Sequence, residues 1–434
     1  MSRSWEQSRG RHAPQRRRRS LHRRSLALFT GGLVVLVALV AGGTAAVAQG
    51  RVGESVTGNL AGVFDQVRAG MDGLGEPAPP PVPVILTTSP RPGPPVSPRE
   101  PATVEVSTGR LEGVTLTGDD GPVPGRPSPD GRSWTSTAPL DFDTTYRWSG
   151  TWAVDEQTRH PLAEDAFRTL DPADTADATM NIRDGGEVGV GAIVVLAFDT
   201  TLTDAAKAAV ERNLSVETSR KVPGAWAWLP DTADGSRVHY RPKEYWPAHT
   251  EVRVRATLRG LDLGDGTWAT EDVDRSFTVG RSQIVKADTR SHQIVVVRDG
   301  AEVARYDASY GLESDPNRVT RSGTHIVMSK SEKVLMTNEA YGYVDEPQYW
   351  AVRISNNGEF IHANPSSAGA QGNRNVSHGC VNLSTRDGKA FFATATFGDP
   401  VEVVGSSQPL TPQDGDFYDW TIPWEEWGSR SALS

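Results

Sequence analysis

The sequence predicts a mainly β protein: two small β sandwiches, a third β-rich domain holding the only cysteine, and a tryptophan-rich tail. Three observations carry that expectation. Forty-three Gly and thirty Pro in 434 residues favour turns and linkers over helix bundles. Short runs of alternating polar and apolar residues, broken by turn residues, recur from residue 102 to 281. Beyond residue 282, β-branched runs meet at Asp-Gly and Asn-Asn-Gly turns, the signature of hairpins. Length alone suggests about three domains.

Residues 1–25 form a basic segment, with nine Arg and one Glu before position 25. Subtracting that +8 from the whole-chain −9 leaves −17 for the remainder. From Leu26 to Ala48 no charged residue occurs, twenty-three positions in all, against the ~20 a helix needs to cross a bilayer. The Arg cluster would stay cytoplasmic and the bulk of the chain would be exported. Residues 26–48 therefore read as a transmembrane anchor; the alternative is a cleaved signal peptide, because Ala46-Val47-Ala48 resembles a small-residue cleavage site. With no Cys close behind, a lipid-anchored lipoprotein is excluded. The acidic exported part argues against nucleic acid as a partner.

Residues 49–101 form a linker rich in Pro from Pro77 to Pro98, a semi-rigid polyproline spacer. Residues 102–172 make the first sandwich, with runs such as Thr103–Ser107 and Thr145–Trp152. Residues 173–281 make the second, with strands at Ile193–Phe198 and Glu251–Thr257 and one helix from Asp204 to Asn213. In its loop Asp262-Leu263-Gly264-Asp265-Gly266, the carboxylates of Asp262 and Asp265 beside Gly266 fit a structural calcium; a glycine-rich turn with solvated aspartates fits equally.

The third domain covers residues 282–405. Ile294–Val303 reads as a hairpin turned at Asp299-Gly300, and Ala351–Ser355 with Glu359–His362 as another turned at Asn356-Asn357-Gly358. Thr385 to Phe397 is an amphipathic helix capped by Ser384 or Thr385 and closed by Gly398, followed by the strand Val401–Val404. Residues 406–434 form a tail in which Trp420, Trp424 and Trp427 would plug against the domain.

The lone Cys380 lies in Ser377-His378-Gly379-Cys380-Val381-Asn382, eighteen residues after His362. One cysteine makes no internal disulfide, and its polar neighbours do not suit a buried structural thiol. A nucleophilic thiol needs a base, and His362 and His378 are the candidates. The backbone N–H groups of His378, Gly379 and Cys380 could stabilise an oxyanion, the glycine allowing the turn that gathers them. This is the logic of a Cys-His acyltransferase or hydrolase. A zinc site from His362, His378 and Cys380 is the competing reading, short of a fourth ligand unless water supplies it.

His362, the spacer with Gly369-Ala370-Gln371-Gly372, and Ser377-His378-Gly379-Cys380-Val381-Asn382 resemble the signature of the YkuD-type L,D-transpeptidases. The anchor, the two sandwiches and the tail from Asp419 to Trp427 are similar to the mycobacterial-type enzymes of actinobacteria. The resemblance implies two immunoglobulin-like domains followed by a YkuD catalytic domain. It implies transfer of a tetrapeptide stem, with loss of D-alanine, to a diaminopimelate amine, giving 3→3 peptidoglycan cross-links. Relatives' alternatives are an L,D-carboxypeptidase or attachment of a protein to peptidoglycan; outside enzymology, a non-catalytic wall-binding scaffold. Carried over, Cys380 is nucleophile, His362 is base oriented by the Ala363 carbonyl, and His378 and Gly379 shape the oxyanion hole. Asn382, Asn357 and Gly358 would contact substrate, Ser377 would fix the loop, and a flap over residues 327–350 would bring Met336 and a gating tyrosine (Tyr341, Tyr343 or Tyr349). Covalent inhibition by carbapenems is implied, no cofactor is required for the chemistry, and the Asp262–Gly266 loop falls where some relatives hold calcium.

Overall fold

The computed structural model describes residues 83–163, 165–412 and 417–434. The predicted basic segment, the apolar stretch 26–48 and most of the linker lie outside the described residues. Among the described residues no helix is long and apolar enough to cross a membrane.

The first sandwich places a sheet of Leu86–Ser89, Thr103–Val106, Ser133–Ser136 and Gly125–Pro127 over one built on Arg110–Gly118 and Thr145–Ala153. Val104 and Trp134 from one sheet meet Leu116, Tyr146 and Trp148 from the other. Its first strand corrects the linker boundary at 101, since Leu86–Ser89 pairs antiparallel with Thr103–Val106. The short β-prone run Ile85-Leu86-Thr87-Thr88 was hidden between proline clusters, which an edge strand tolerates.

The second sandwich stacks two four-stranded sheets, one ending in Arg237–Pro242 and Gly224–Trp228, the other holding Val273–Val279 and Glu251–Ala256. Helix α1 (Asp204–Glu211) starts at Thr203, whose side chain accepts from the Ala206 N–H, and stops two residues before the expected end. Arg99 ties the sandwiches together, donating to the Thr257 carbonyl at 2.8 Å and to Asn213 Oδ1 at 2.7 Å.

In the third domain, strands β1 (Gln283–Asp288), β2 (Gln293–Arg298), β3 (Ala301–Asp307), β4 (Gly323–Ile326) and β9 (Pro400–Val404) form a sheet ordered β3-β2-β1-β9-β4. Asp299 and Gly300, both at positive φ (49° and 81°), make the predicted hairpin turn. A second sheet is ordered β5 (Ser329–Asn338), β6 (Tyr343–Arg353), β7 (Phe360–Ala363) and β8 (Val381–Leu383). The long β5–β6 hairpin is the predicted flap. Helix α2 (Thr385–Thr394), capped by Ser384 accepting from the Asp387 N–H, lies on β6, β7 and β8 and buries Phe391. Val285, Val296, Ile361, Val381 and Val401 close a core between the two sheets.

The tail tryptophans pack on the second sandwich, while Leu410 and Thr421 lie against Gly323 of the domain the tail follows. Trp427 is fully buried and donates from its indole N–H to the Ala225 carbonyl at 3.0 Å. The Arg241 guanidinium lies over the rings of Trp420, Trp424 and Trp427, 4.6–5.3 Å from their centroids. Burial pulls that guanidinium down to about 10, and Asp419 acts against the shift. The chain also touches the third domain on its way, the Leu410 N–H donating to the Ser322 carbonyl at 2.7 Å. Sandwich and third domain meet directly where the Gly189 and Gly191 N–H groups donate to the Phe397 and Gly398 carbonyls. A Cβ on Gly189 would stand 2.3 Å from the Asp399 N, so no larger residue fits that approach. The spacing of the tail tryptophans shows a plug; which surface receives it depends on Arg241, distant in sequence.

Trp427→Ala should cost about 3–5 kcal/mol by emptying this site, read as a lower urea midpoint for the transition that exposes the second sandwich; an unchanged midpoint would mean that the tail is not structural.

Candidate active site

The site begins with strand pairing. β7 and β8 run parallel with His362 opposite Asn382, so Cys380, just before β8, is brought beside His362 despite eighteen intervening residues. The loop before the thiol is held from several sides. The Ser377 N–H donates to the Tyr310 carbonyl, and the Ser377 hydroxyl donates to the Cys380 carbonyl while accepting from the Gly379 N–H at 3.2 Å. Thr320 donates to the Gly379 carbonyl at 2.7 Å, and Arg318 donates to the carbonyls of Ser377 and Val376 at 3.2 and 2.6 Å. Gly379 takes φ +114°, which a side chain would strain.

His362 is buried, and its Nδ1 lies 3.1 Å from the Ala363 carbonyl oxygen. That oxygen can only accept, so Nδ1 carries the proton and Nε2 is left as the basic atom. Burial lowers His362 to about 4, with the Ala363 hydrogen bond opposing. Cys380 keeps part of its surface open, but the protein packed about its sulfur pushes the thiol up to about 12. The Phe360 N–H opposes that rise, and the Glu359 charge adds to it. At neutral pH the pair is thus thiol and neutral imidazole, not a preformed ion pair. The Sγ rests 3.7 Å from the Gly358 carbonyl oxygen.

Cys380, His362, His378, Ser377, Asn382, Tyr343 and Met336 line one cleft of about 370 Å³, as the sequence grouped them. Gly358 touches the thiol, whereas Asn357 is an exposed turn residue. His378 is not placed as a second base: its ring packs against Tyr341 and Tyr343, with centroids 4.6 and 5.6 Å apart. Burial and the nearby Arg318 charge lower its pKa. The Gly379 N–H, one of three expected oxyanion donors, is occupied by Ser377, so Gly379 contributes conformation rather than a donor. Tyr341 bonds Asp315 at 3.3 Å and Tyr343 lines the cleft; Tyr349, an exposed strand residue, does not line it.

Among the described residues no group of three or more His, Cys, Asp or Glu could hold a metal ion, which removes the zinc reading of His362, His378 and Cys380. In the loop offered for calcium, Asp262 Oδ1 accepts from the Gly264 N–H at 2.8 Å, and Asp265-Gly266, at φ 53° and 81°, is a tight turn between two short strands. Sequence reading missed Arg318, Thr320, Glu346, Gln348, Asn364, Ser366 and Ser367, which come from separate loops and the flap and carry no local signature.

Residues 282–403 match the YkuD family, described as the L,D-transpeptidase catalytic domain, and residues 94–262, across both sandwiches, match the family described as bacterial Ig domain. The chain is 46% identical over 361 residues to L,D-transpeptidase 5 of Mycobacterium tuberculosis, covering 83% of this chain and 79% of that one. The chain belongs to the L,D-transpeptidases. Two solved structures are similar. One is LD transpeptidase LdtMt1 in complex with imipenem, at 32% identity, 54% of this chain and 100% of that one, with a TM-score of 0.44. The other is L,D-transpeptidase 3 from Mycobacterium tuberculosis in complex with a faropenem-derived adduct, at 28% identity, 52% and 97%, with a TM-score of 0.42.

A base that titrates near 4 remains free down to that pH. The acid limb of kcat/KM should therefore fall near pH 4, with activity level from about pH 5 to 8, instead of near the ordinary histidine value of ~6.5. A midpoint at 6–7 in a pH-rate profile would contradict the buried-base geometry.

Proposed function

We propose that this chain forms 3→3 cross-links between peptidoglycan stem peptides through a Cys380 acyl-enzyme. The observation that carries the reading is the His362 imidazole, fixed by the Ala363 carbonyl with Nε2 free, in the cleft that holds the chain's one thiol.

His362 Nε2 takes the thiol proton as Sγ attacks the carbonyl between the third and fourth residues of a tetrapeptide stem. The N–H groups of His378 and Cys380 hold the oxyanion. The tetrahedral adduct collapses, the C–N bond breaks, and the departing D-alanine amine takes the proton from His362, leaving a thioester. A diaminopimelate amine on a second stem attacks that carbonyl. The new C–N bond forms as the C–S bond breaks; the surplus amine proton passes through His362 to Sγ, which restores the starting pair. No metal or cofactor enters this sequence. The neutral resting pair suits it, because the thiolate is generated only against the bound carbonyl. The positively charged N-terminal segment and residues 26–48 support an exported enzyme anchored at the membrane, with the catalytic domain at the wall. The imipenem and faropenem complexes of relatives support acylation of Cys380 by β-lactams, carbapenems included.

Full-length protein incubated with a disaccharide-tetrapeptide should yield a dimer lighter by one D-alanine, seen by mass spectrometry. Cys380→Ala should yield none, and His362→Ala should slow the reaction ~10²–10⁴-fold. D-alanine loss giving only tripeptide monomer would make the protein a carboxypeptidase; no turnover at all would leave a wall-binding scaffold. Incubation with imipenem should add one drug mass to the wild type and nothing to Cys380→Ala; labelling of both would place acylation elsewhere.

A further inference from the structure

The carboxylate and ammonium-type side chains that line the cleft are of one sign. No Lys or Arg is among the described residues that line it, and its one carboxylate is Glu346 on the flap. Glu346 stands directly across the β5–β6 ladder from Met336, and Gln348 across from Val334, so these four share one face of the flap. Met336, Glu346 and Gln348 all line the cleft, which shows that this face is turned towards the thiol. Lys333, paired with Tyr349, belongs to the opposite face. The nearby guanidinium groups do not line the cleft, although their charges reach His378 and Cys380: Arg318 bonds the carbonyls of Val376 and Ser377, and Arg353 bonds the Ser355 carbonyl and lies over the Phe360 ring. At the floor, Asn382 is buried and lines the cleft, and its Oδ1 has no hydrogen-bond partner. A cleft with an unpaired buried acceptor below, a carboxylate above and no lining cation is built for a ligand that brings N–H donors and positive charge.

We propose that Glu346 is the acceptor-docking residue, holding the ammonium group of the second stem over the acylated Cys380, where it gives one proton to solvent and attacks as the neutral amine. The inference rests on the transpeptidase reading above. Tyr343 lines the same cleft as Glu346 and Cys380. The donor's own side-chain amine is the weaker candidate: it lies several bonds from the carbonyl under attack, whereas the acceptor amine must arrive at that carbonyl.

The test uses full-length wild type, Glu346→Gln and Glu346→Lys with a fixed saturating tetrapeptide donor and a diaminopimelate-containing tripeptide stem as acceptor. Glu346→Gln should raise the acceptor KM about tenfold, the order of one lost charge-assisted contact, and Glu346→Lys should raise it further. Donor KM and the rate of imipenem acylation should change less than about twofold in both. Raising the salt concentration should weaken acceptor binding in the wild type and not in Glu346→Gln. An unchanged acceptor KM overturns the proposal, as does a change confined to the donor KM or shared equally by acylation. If the wild type itself makes no Cys380-dependent dimer, the transpeptidase reading has failed, a result distinct from either.

Discussion

The parallel pairing of β7 with β8 is the constraint on which the rest of the site depends. It sets His362 opposite Asn382 and so delivers the adjacent Cys380 to the imidazole. Because the strands run parallel, the chain between them must cross over rather than turn tightly, and the intervening residues supply Asn364, Ser366, Ser367 and the Ser377–Gly379 turn that line or shape the cleft. A one-residue slip would put His362 on the other face of the sheet. Phe391 of α2, packed with Ile361, Val381 and Leu383, fixes the register by burial.

The same burial that locks the register also sets the chemistry. It depresses the imidazole to about 4 and raises the thiol to about 12, the directions expected when charged forms lose water. A free thiolate would be open to oxidation and stray electrophiles. Keeping the sulfur protonated until a carbonyl is seated confines its nucleophilicity to the productive complex. Glu359, buried behind Gly379 and close enough for its charge to oppose the thiolate, acts in the same direction.

The second sandwich and the catalytic domain meet as a packed seam, through Gly189 and Gly191 against the Phe397–Pro400 turn and through the Arg281–Asp399 ion pair. The tail covers the second sandwich with Arg241 held among three indoles. Desolvating a guanidinium is costly unless π faces and carbonyls replace water, and here the Ile422 carbonyl accepts from it at 2.7 Å. This arrangement carries the catalytic cleft on the second sandwich through direct contact as well as through the connecting chain.

Local chemistry made much of this legible in the sequence. The Asp299-Gly300 turn, the Ser384 cap of α2, the alternating strands and the Ser377–Asn382 motif are written in neighbouring residues, where propensity and spacing act. The lone Cys380 and the motif that couples it to His362 were legible in the sequence, and the structure places both in one cleft. What depends on contacts between distant segments was decided only by the tertiary structure. The Asp262–Gly266 loop has the composition of a cation site, and the structure adds that one oxygen of Asp262 accepts from the Gly264 N–H. The Gly379 amide is lost to Ser377 because Thr320 and Arg318, some sixty residues away, hold the loop in place. Glu346 and Asn382 reach the same cleft only through sheet register, and the tail tryptophans find Arg241 across 179 to 186 residues. Sequence determines what each short segment prefers to be; three-dimensional packing determines which polar groups are left unpaired for a substrate.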